Sequence, residues 1–194
     1  MTALPIVSVG DPVLRERASE ILPEELASDE VQRLIDDLIE TRRAAGGAGL
    51  AANQVAALER VAVVEVDDAA RRRYPYKPPF PLTVIVNPVI EPLDDETLLI
   101  NEGCLSVPGL RGDVVRHANI RVHYLDRNGQ AGELDVDGLT AGTFQHEVDH
   151  LDGVLFLDRV EDPHSFSTWE QFERHQRDAF LDRVRPWVYE ESTP

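Results

Sequence analysis

An α+β fold with mainly antiparallel sheets, and helices at both ends of the chain, is what this sequence predicts. Three observations carry that reading. An amphipathic helical pattern lies near the N-terminus, short apolar or alternating runs separated by turn residues fill the middle, and two more helical patterns follow residue 137. In order, Asp11-Pro12 has the form of an N-cap followed by proline at the first helical position, opening a short helix through Ala18. Ser28 caps a longer helix whose Val31, Leu34, Ile35, Leu38 and Ile39 share one face, and which stops near Gly46-Gly47. Residues 60–66, 83–90, 96–100 and 119–126 read as strands, and Arg127-Asn128-Gly129 turns the chain into a returning hairpin strand at 133–136. Between the first two strands, residues 70–81 (ARRRYPYKPPFP) are basic and proline-rich, which predicts a solvated surface loop. Gly138–Leu151 reads as a helix, and a last helix runs from about 165 to 184 with Trp169, Phe172, Ala179, Phe180 and Val184 near one stripe. Residues 190–194 are expected to fray.

Composition narrows the class of function. A chain of 194 residues is expected to form one domain over 1–194, and 42% apolar with 28% charged residues suits a soluble globular protein. Its net charge of −17 repels phosphate, which argues against general nucleic-acid binding and against an anionic membrane. No apolar run approaches the ~20 residues that span a bilayer, and the N-terminus lacks the basic and apolar regions of a signal peptide. A cytoplasmic protein is the expectation. Cys104 is the only cysteine, so no internal disulfide forms; such a residue is a small buried apolar group, a nucleophile or a metal ligand.

The stretch QHEVDHLDG at 145–153 contains His146-Glu147-Val148-Asp149-His150, the pattern H-E-x-x-H. Residues four apart on a helix lie on one face, so His146 and His150 can point ring nitrogens at one ion. Glu147 sits beside that face and reaches a water on the metal rather than the metal. Two histidines leave a tetrahedral catalytic site one protein ligand short. A metzincin-like extension matches through Gly153 but meets Phe156 where a third histidine is required. Glu170 and Glu173 on the final helix are carboxylate candidates, and Cys104 in NEGCLSVP at 101–108 is a thiolate candidate.

Three segments together, GAGLAANQ at 47–54, EGCLS at 102–106 and QHEVDH at 145–150, resemble the peptide deformylase family in order and form. PIVSVGDPVL at 5–14 and residues 138–156 are similar to it as well; the likeness is weakest at 67–81 and after Asp158. The resemblance implies antiparallel sheets packed around a central helix carrying the H-E-x-x-H residues. It implies a hydrolase that removes the formyl group from the N-terminal formyl-methionine of new polypeptides and releases formate. By the same resemblance Cys104, His146 and His150 hold one divalent metal, a water on that metal is the nucleophile, and Glu147 is general base and then acid. The side-chain amide of Gln54 and the backbone N–H of Leu105 are the implied oxyanion donors. Gly47, Gly49 and Gly103 let backbone approach the substrate, and Ala51 and Ala52 leave room beneath.

The implied side-chain pocket is made by Ala48, Ile100, Leu139, Gly142 and Thr143, with Glu102 and His146 at its edge. Gly142 stands where the family carries a larger residue and is expected to widen the pocket mouth. Arg111 matches a position that meets peptide backbone, and Arg116 and Asp149 are spaced for a salt bridge steadying the metal helix. Two histidines and a thiolate suit Zn²⁺, whereas the resemblance implies Fe²⁺ in the cell, with Zn²⁺, Ni²⁺ or Co²⁺ as substitutes in purified protein. Partners are formylated nascent peptides and, transiently, the ribosome. Arg174, Arg177, Arg183 and Arg185 alternate with Glu170, Glu173, Asp178 and Asp182, the pattern of a solvated helix face rather than an RNA-docking one.

Overall fold

Alternate residues of one apolar run face two different cores. The computed structural model describes residues 2–189, so the expected frayed tail at 190–194 lies outside the described residues. Strand β2 (Val61–Val66) is buried along nearly its whole length. Its Val61 and Val63 pack with Ile35 and Leu38 of a long N-terminal helix, while Ala62 and Val64 pack with Phe144 and Val148 of a later one. A strand covered on both faces reads as a continuous apolar run, which is why it was legible without alternation.

The elements follow in chain order: α1 (Pro23–Leu26), α2 (Asp29–Ala45), β1 (Gly49–Ala51), β2, α3 (Asp68–Arg73), β3 (Phe80–Pro92), β4 (Thr97–Cys104), β5 (Val107–His117), β6 (Asn119–Leu125), β7 (Ala131–Asp137), α4 (Gly138–Leu151), β8 (Ser167–Thr168), α5 (Trp169–Gln171) and α6 (Arg177–Arg183). Strands β1-β2-β3-β6-β7 form one sheet and β4-β5-β8 a second, every pairing antiparallel. The expected α+β class is therefore the observed one.

Helix α2 is bounded as its sequence predicts. Ser28 Oγ accepts from the Val31 N–H at 3.3 Å, and Gly46 closes the helix in the left-handed region with φ of 63°. Near its end Arg42, fully buried, donates to the carbonyl oxygens of Gly47 at 2.7 Å and Glu65 at 3.0 Å, which fixes the turn into β1. Helix α4 packs against strands of both sheets, and all its residues except His146 are buried. Two residues past its end stands Gly153, where φ is 73° and a Cβ would lie 2.6 Å from the Arg15 carbonyl oxygen. That glycine serves a backbone contact, which explains why its match to a metzincin pattern carried no metal chemistry.

Several expectations need correction. The first helix is a short 3-10 turn, Pro12–Arg15, because the chain beyond it is drawn to the end of α4: the Ala18 N–H donates to the Leu151 oxygen at 2.8 Å. The segment at 70–81 is not simply a loop. Asp67 Oδ1 caps α3 by accepting from the Ala70 N–H at 2.9 Å, and Ala70 and Tyr76 are buried. Strand β5 was not anticipated, since its Pro108, Gly109, Gly112 and charged residues obscure the period; its Arg111 and Arg116 are buried. The final helix begins at Trp169, capped by Thr168, and carries a π-helical stretch at Phe172–Gln176 before α6. That stretch shifts the register, so Phe172, Phe180 and Val184 are buried while Ala179 is exposed.

Phe144 anchors α4 in this packing, fully buried and edge-on to Phe80 with ring centroids 5.5 Å apart. Replacing it (Phe144→Ala) is expected to lower unfolding free energy by about 3–5 kcal/mol in urea titration. A loss below ~1 kcal/mol would contradict the packing described.

Candidate metal centre

Helix α4 brings two histidines to one face, and the β4–β5 turn brings a thiol to meet them. The donor atoms of Cys104, His146 and His150 lie within 4.8 Å of one another, the one such group of three among the described residues. Cys104 Sγ is 3.1 Å from His150 Nε2, and the two imidazoles meet edge to face with centroids 5.0 Å apart. Pairing in β4–β5 shifts between Gly103 and Cys104, so Cys104 opposes Val107 across a tight turn and its side chain leaves the sheet. The Ser106 N–H donates to Sγ at 3.3 Å and Gln54 Nε2 lies 3.6 Å from it, so two donors fix the position of the sulfur. Softness and geometry of this N₂S donor set fit a divalent transition metal. Glu170 and Glu173 are exposed and take no part in the cluster. Phe156, which blocked the metzincin match, stacks on His146 with centroids 6.3 Å apart.

Behind the histidines lies a buried ionic network. Glu102 Oε2 is 2.8 Å from His146 Nδ1, and both Glu102 oxygens are held by Arg116, at 2.7 Å and 3.0 Å. Arg116 also reaches Asp149 on α4, as its spacing predicted, and Arg159 pairs with the same carboxylate. Burial would raise the Glu102 pKa, but the Arg116 charge and the bond from His146 hold it well below the carboxylate range. Burial likewise pushes His146 down, yet its bonds to Cys104 and Glu102 keep its pKa well above that of a free imidazole. With Nδ1–H given to Glu102, Nε2 is the nitrogen left to a cation, which would take the place of its proton. His150 is held well below the ordinary value by burial and by the neighbouring His146 charge, so its imidazole is neutral.

Glu147 lies between the ligands but points elsewhere. It is 4% exposed, its Oε2 has no hydrogen-bond partner among the described residues, and burial pushes its pKa up to about 7. A Cβ at Gly49 would stand 2.3 Å from Glu147 Oε1, so only glycine leaves this carboxylate its place. Gln54, on a 3-10 turn after β1, accepts from the Ala51 N–H at 2.9 Å through Oε1. Its Nε2 is thereby turned toward Cys104 and donates to Ser106 Oγ at 3.1 Å. A Cβ at Gly47 would lie 2.8 Å from the Leu105 side chain, a second close approach.

Gln54, Glu102, Cys104, His146 and Glu147 line one cavity with Ala48, Ile100, Gly103, Leu139, Gly142 and Thr143, and His150 lies outside its lining. Arg111 lines the cavity as well: it is 2% exposed, donates to Asn101 Oδ1 and O at 2.8 Å each, and sits over the Trp169 and Phe172 rings. Its Nη1 has no hydrogen-bond partner among the described residues. Gly142 does not widen the cavity, because Ile100 Cδ1 occupies the space, 2.4 Å from where a Cβ would be. The sequence reading also missed Tyr74, Tyr76, Lys77, Asn101 and Phe180 on the cavity wall. The aromatic residues of YPYK at 74–77, inside a basic stretch, were the one signal available.

Residues 3–166 match the family model described as Polypeptide deformylase. The chain is 43% identical over 170 residues to "Peptide deformylase 2" of Nostoc sp., covering 88% of this chain and 93% of that protein. It is 45% identical over 158 residues to "Peptide deformylase 2" of Xanthomonas axonopodis pv. citri, covering 81% and 87%. Among solved structures, the Met-Ala-Ser-bound class I type b peptide deformylase of Acinetobacter baumannii aligns with a TM-score of 0.77 at 38% identity, over 82% of this chain and 99% of that one. The Thermotoga maritima peptide deformylase aligns with a TM-score of 0.73 at 34% identity, over 84% and 100%.

Removing Arg116 (Arg116→Ala) would leave Glu102 and Asp149 buried without their shared cation. A loss of about 3–5 kcal/mol of stability is expected in denaturant titration, far more than for the exposed Arg121→Ala, whose pair with Asp135 is solvated. Equal effects of the two would contradict the network.

Proposed function

The chain belongs to the polypeptide deformylase family, metal-dependent hydrolases that remove N-terminal formyl groups, and from that premise we propose how its own residues do so. The observation that carries the reading is the Cys104 thiol beside the histidine pair, with Glu147 unpartnered next to it. Residues 1–194 act as one catalytic domain, and Cys104, His146 and His150 hold the ion. Fe²⁺ is the proposed ion in the cell, with Zn²⁺, Ni²⁺ or Co²⁺ in purified protein. When bound, such an ion would lower the pKa of a water beside it to about 7, supplying a nucleophile at neutral pH.

Glu147 takes the proton of the attacking water and later returns it to the departing amine; a pKa near 7 suits both halves of that task. The Gln54 amide is pre-set by the Ala51 N–H and, with the Leu105 backbone N–H, donates to the oxyanion that forms on the formyl carbon. Glu102 keeps His146 in the tautomer that leaves Nε2 free. The substrate peptide lies along Gly47, Gly49 and Gly103, where the Arg111 Nη1 proton is available to a peptide carbonyl. Its first side chain enters between Ala48, Ile100, Leu139, Gly142 and Thr143, with Glu102 and His146 at the edge. The Met-Ala-Ser bound to the Acinetobacter relative supports a peptide of that class as product.

The substrates are formylated nascent chains, which places the enzyme near the ribosome in the cytoplasm. No helix among the described residues is long and apolar enough to cross a membrane. Docking on RNA through the last helix is not part of the proposal, since Arg177, Arg183 and Arg185 pair with Glu173, Asp113 and Asp182.

Metal-replete protein is expected to release formate from formyl-Met-Ala-Ser, with Glu147→Gln lowering kcat by roughly 10²–10⁴-fold and Gln54→Leu by roughly 10²–10³-fold. Elemental analysis after anaerobic purification should find iron in the wild type and none in Cys104→Ala. Metal retained in Cys104→Ala but lost in Glu170→Ala would defeat the ligand assignment.

A further inference from the structure

The end of the side-chain cavity is not apolar. Lys77 follows buried Tyr76 on the connection from α3 to β3, and it lines the same cavity as Ile100, Gly142 and Thr143. Its Nζ donates to Thr143 Oγ1 at 2.6 Å. Thr143 sends its own hydroxyl proton to the Leu139 carbonyl at 3.0 Å, so toward Lys77 it acts only as an acceptor. An ammonium carries three donors, and Thr143 is its one hydrogen-bond acceptor among the described residues. The Tyr74 ring lies 5.6 Å away and offers a face rather than a lone pair.

We propose that Lys77 gives the substrate side-chain pocket a hydrogen-bond-donating end, so that an N-formylated residue bearing a side-chain oxygen acceptor, such as methionine sulfoxide, is accepted beside the thioether. The inference rests on the deformylase reading of this cavity. A thioether is a weak acceptor and offers little to the remaining donors of this half-buried ammonium, whereas a sulfoxide oxygen at similar length meets them. Bulk does not distinguish this pocket, because Ile100 fills the space that Gly142 leaves. Polarity does. Burial draws the Lys77 pKa down to about 8, opposed by the Glu102 charge, so the group remains an ammonium at neutral pH.

The test compares kcat/KM for formyl-Met-Ala-Ser and its methionine-sulfoxide counterpart in metal-loaded full-length protein. Wild type should favour the thioether by less than ~100-fold, and Lys77→Met should lower the sulfoxide-to-thioether ratio by about tenfold or more. Thr143→Val frees a donor and should shift that ratio the other way by a few-fold, a sign that a merely steric role for Lys77 would not give. An unchanged ratio in Lys77→Met, a shift in the same direction in both variants, or a wild-type preference for the thioether above ~1000-fold overturns the proposal. Should Lys77→Met not fold, the wild-type ratio and Thr143→Val decide. Absence of formate from formyl-Met-Ala-Ser itself would instead overturn the functional reading beneath it.

Discussion

Arg116 is the cation on which the rest of the structure depends. It stands on β5, grips Glu102 on β4 with both prongs, and reaches Asp149 on α4. All three residues are buried, so each charge is tolerated only because the others are present. The consequence for the site is positional. Glu102 is two residues from Cys104 and bonds His146, while Asp149 is one residue from His150. One guanidinium thus locks the strand that carries the thiol to the helix that carries the imidazoles.

A polar helix in the interior needs such a partner. Helix α4 is buried on nearly every side, with Phe144, Val148 and Leu151 in one core and Leu139 in another. Its polar residues are therefore turned inward, and each faces a defined contact. Gln145 exchanges hydrogen bonds with the His117 backbone, Asp149 meets two arginines, and Thr143 meets Lys77. Glu147 is the exception, held in a low-dielectric position with one oxygen unmet, and that cost is the kind that active sites carry.

The far wall of the cavity comes from parts of the chain remote from the metal residues in sequence. Tyr74, Tyr76 and Lys77 arrive from the segment after α3, and Phe180 from α6, beyond the residues that match the family model. The Arg111 guanidinium lies over the Trp169 and Phe172 rings, and Tyr76 packs edge-on against Phe180 with centroids 5.2 Å apart. Arg111 is thereby rigid, with its donors spent on Asn101 and the Tyr76 hydroxyl except at Nη1.

The sequence by itself determined the fold class, the Ser28-capped helix, the strands with a clean apolar pattern and the histidine pair, and its resemblance to a family added Cys104. Those features rest on local rules: a serine accepts from its own helix, alternate residues of β2 need cover, and histidines four apart share a face. It left β5 unread because Arg111 and Arg116 look like surface charges until the counter-charges and rings that bury them are in place. It misjudged Gly142 because a missing side chain means space only if no neighbour fills it, and Ile100, 42 positions earlier in the chain, does. Lys77 read as part of a solvated loop for the same reason. Only tertiary structure decides such residues, since their environment is made of side chains that no sequence spacing relates to them.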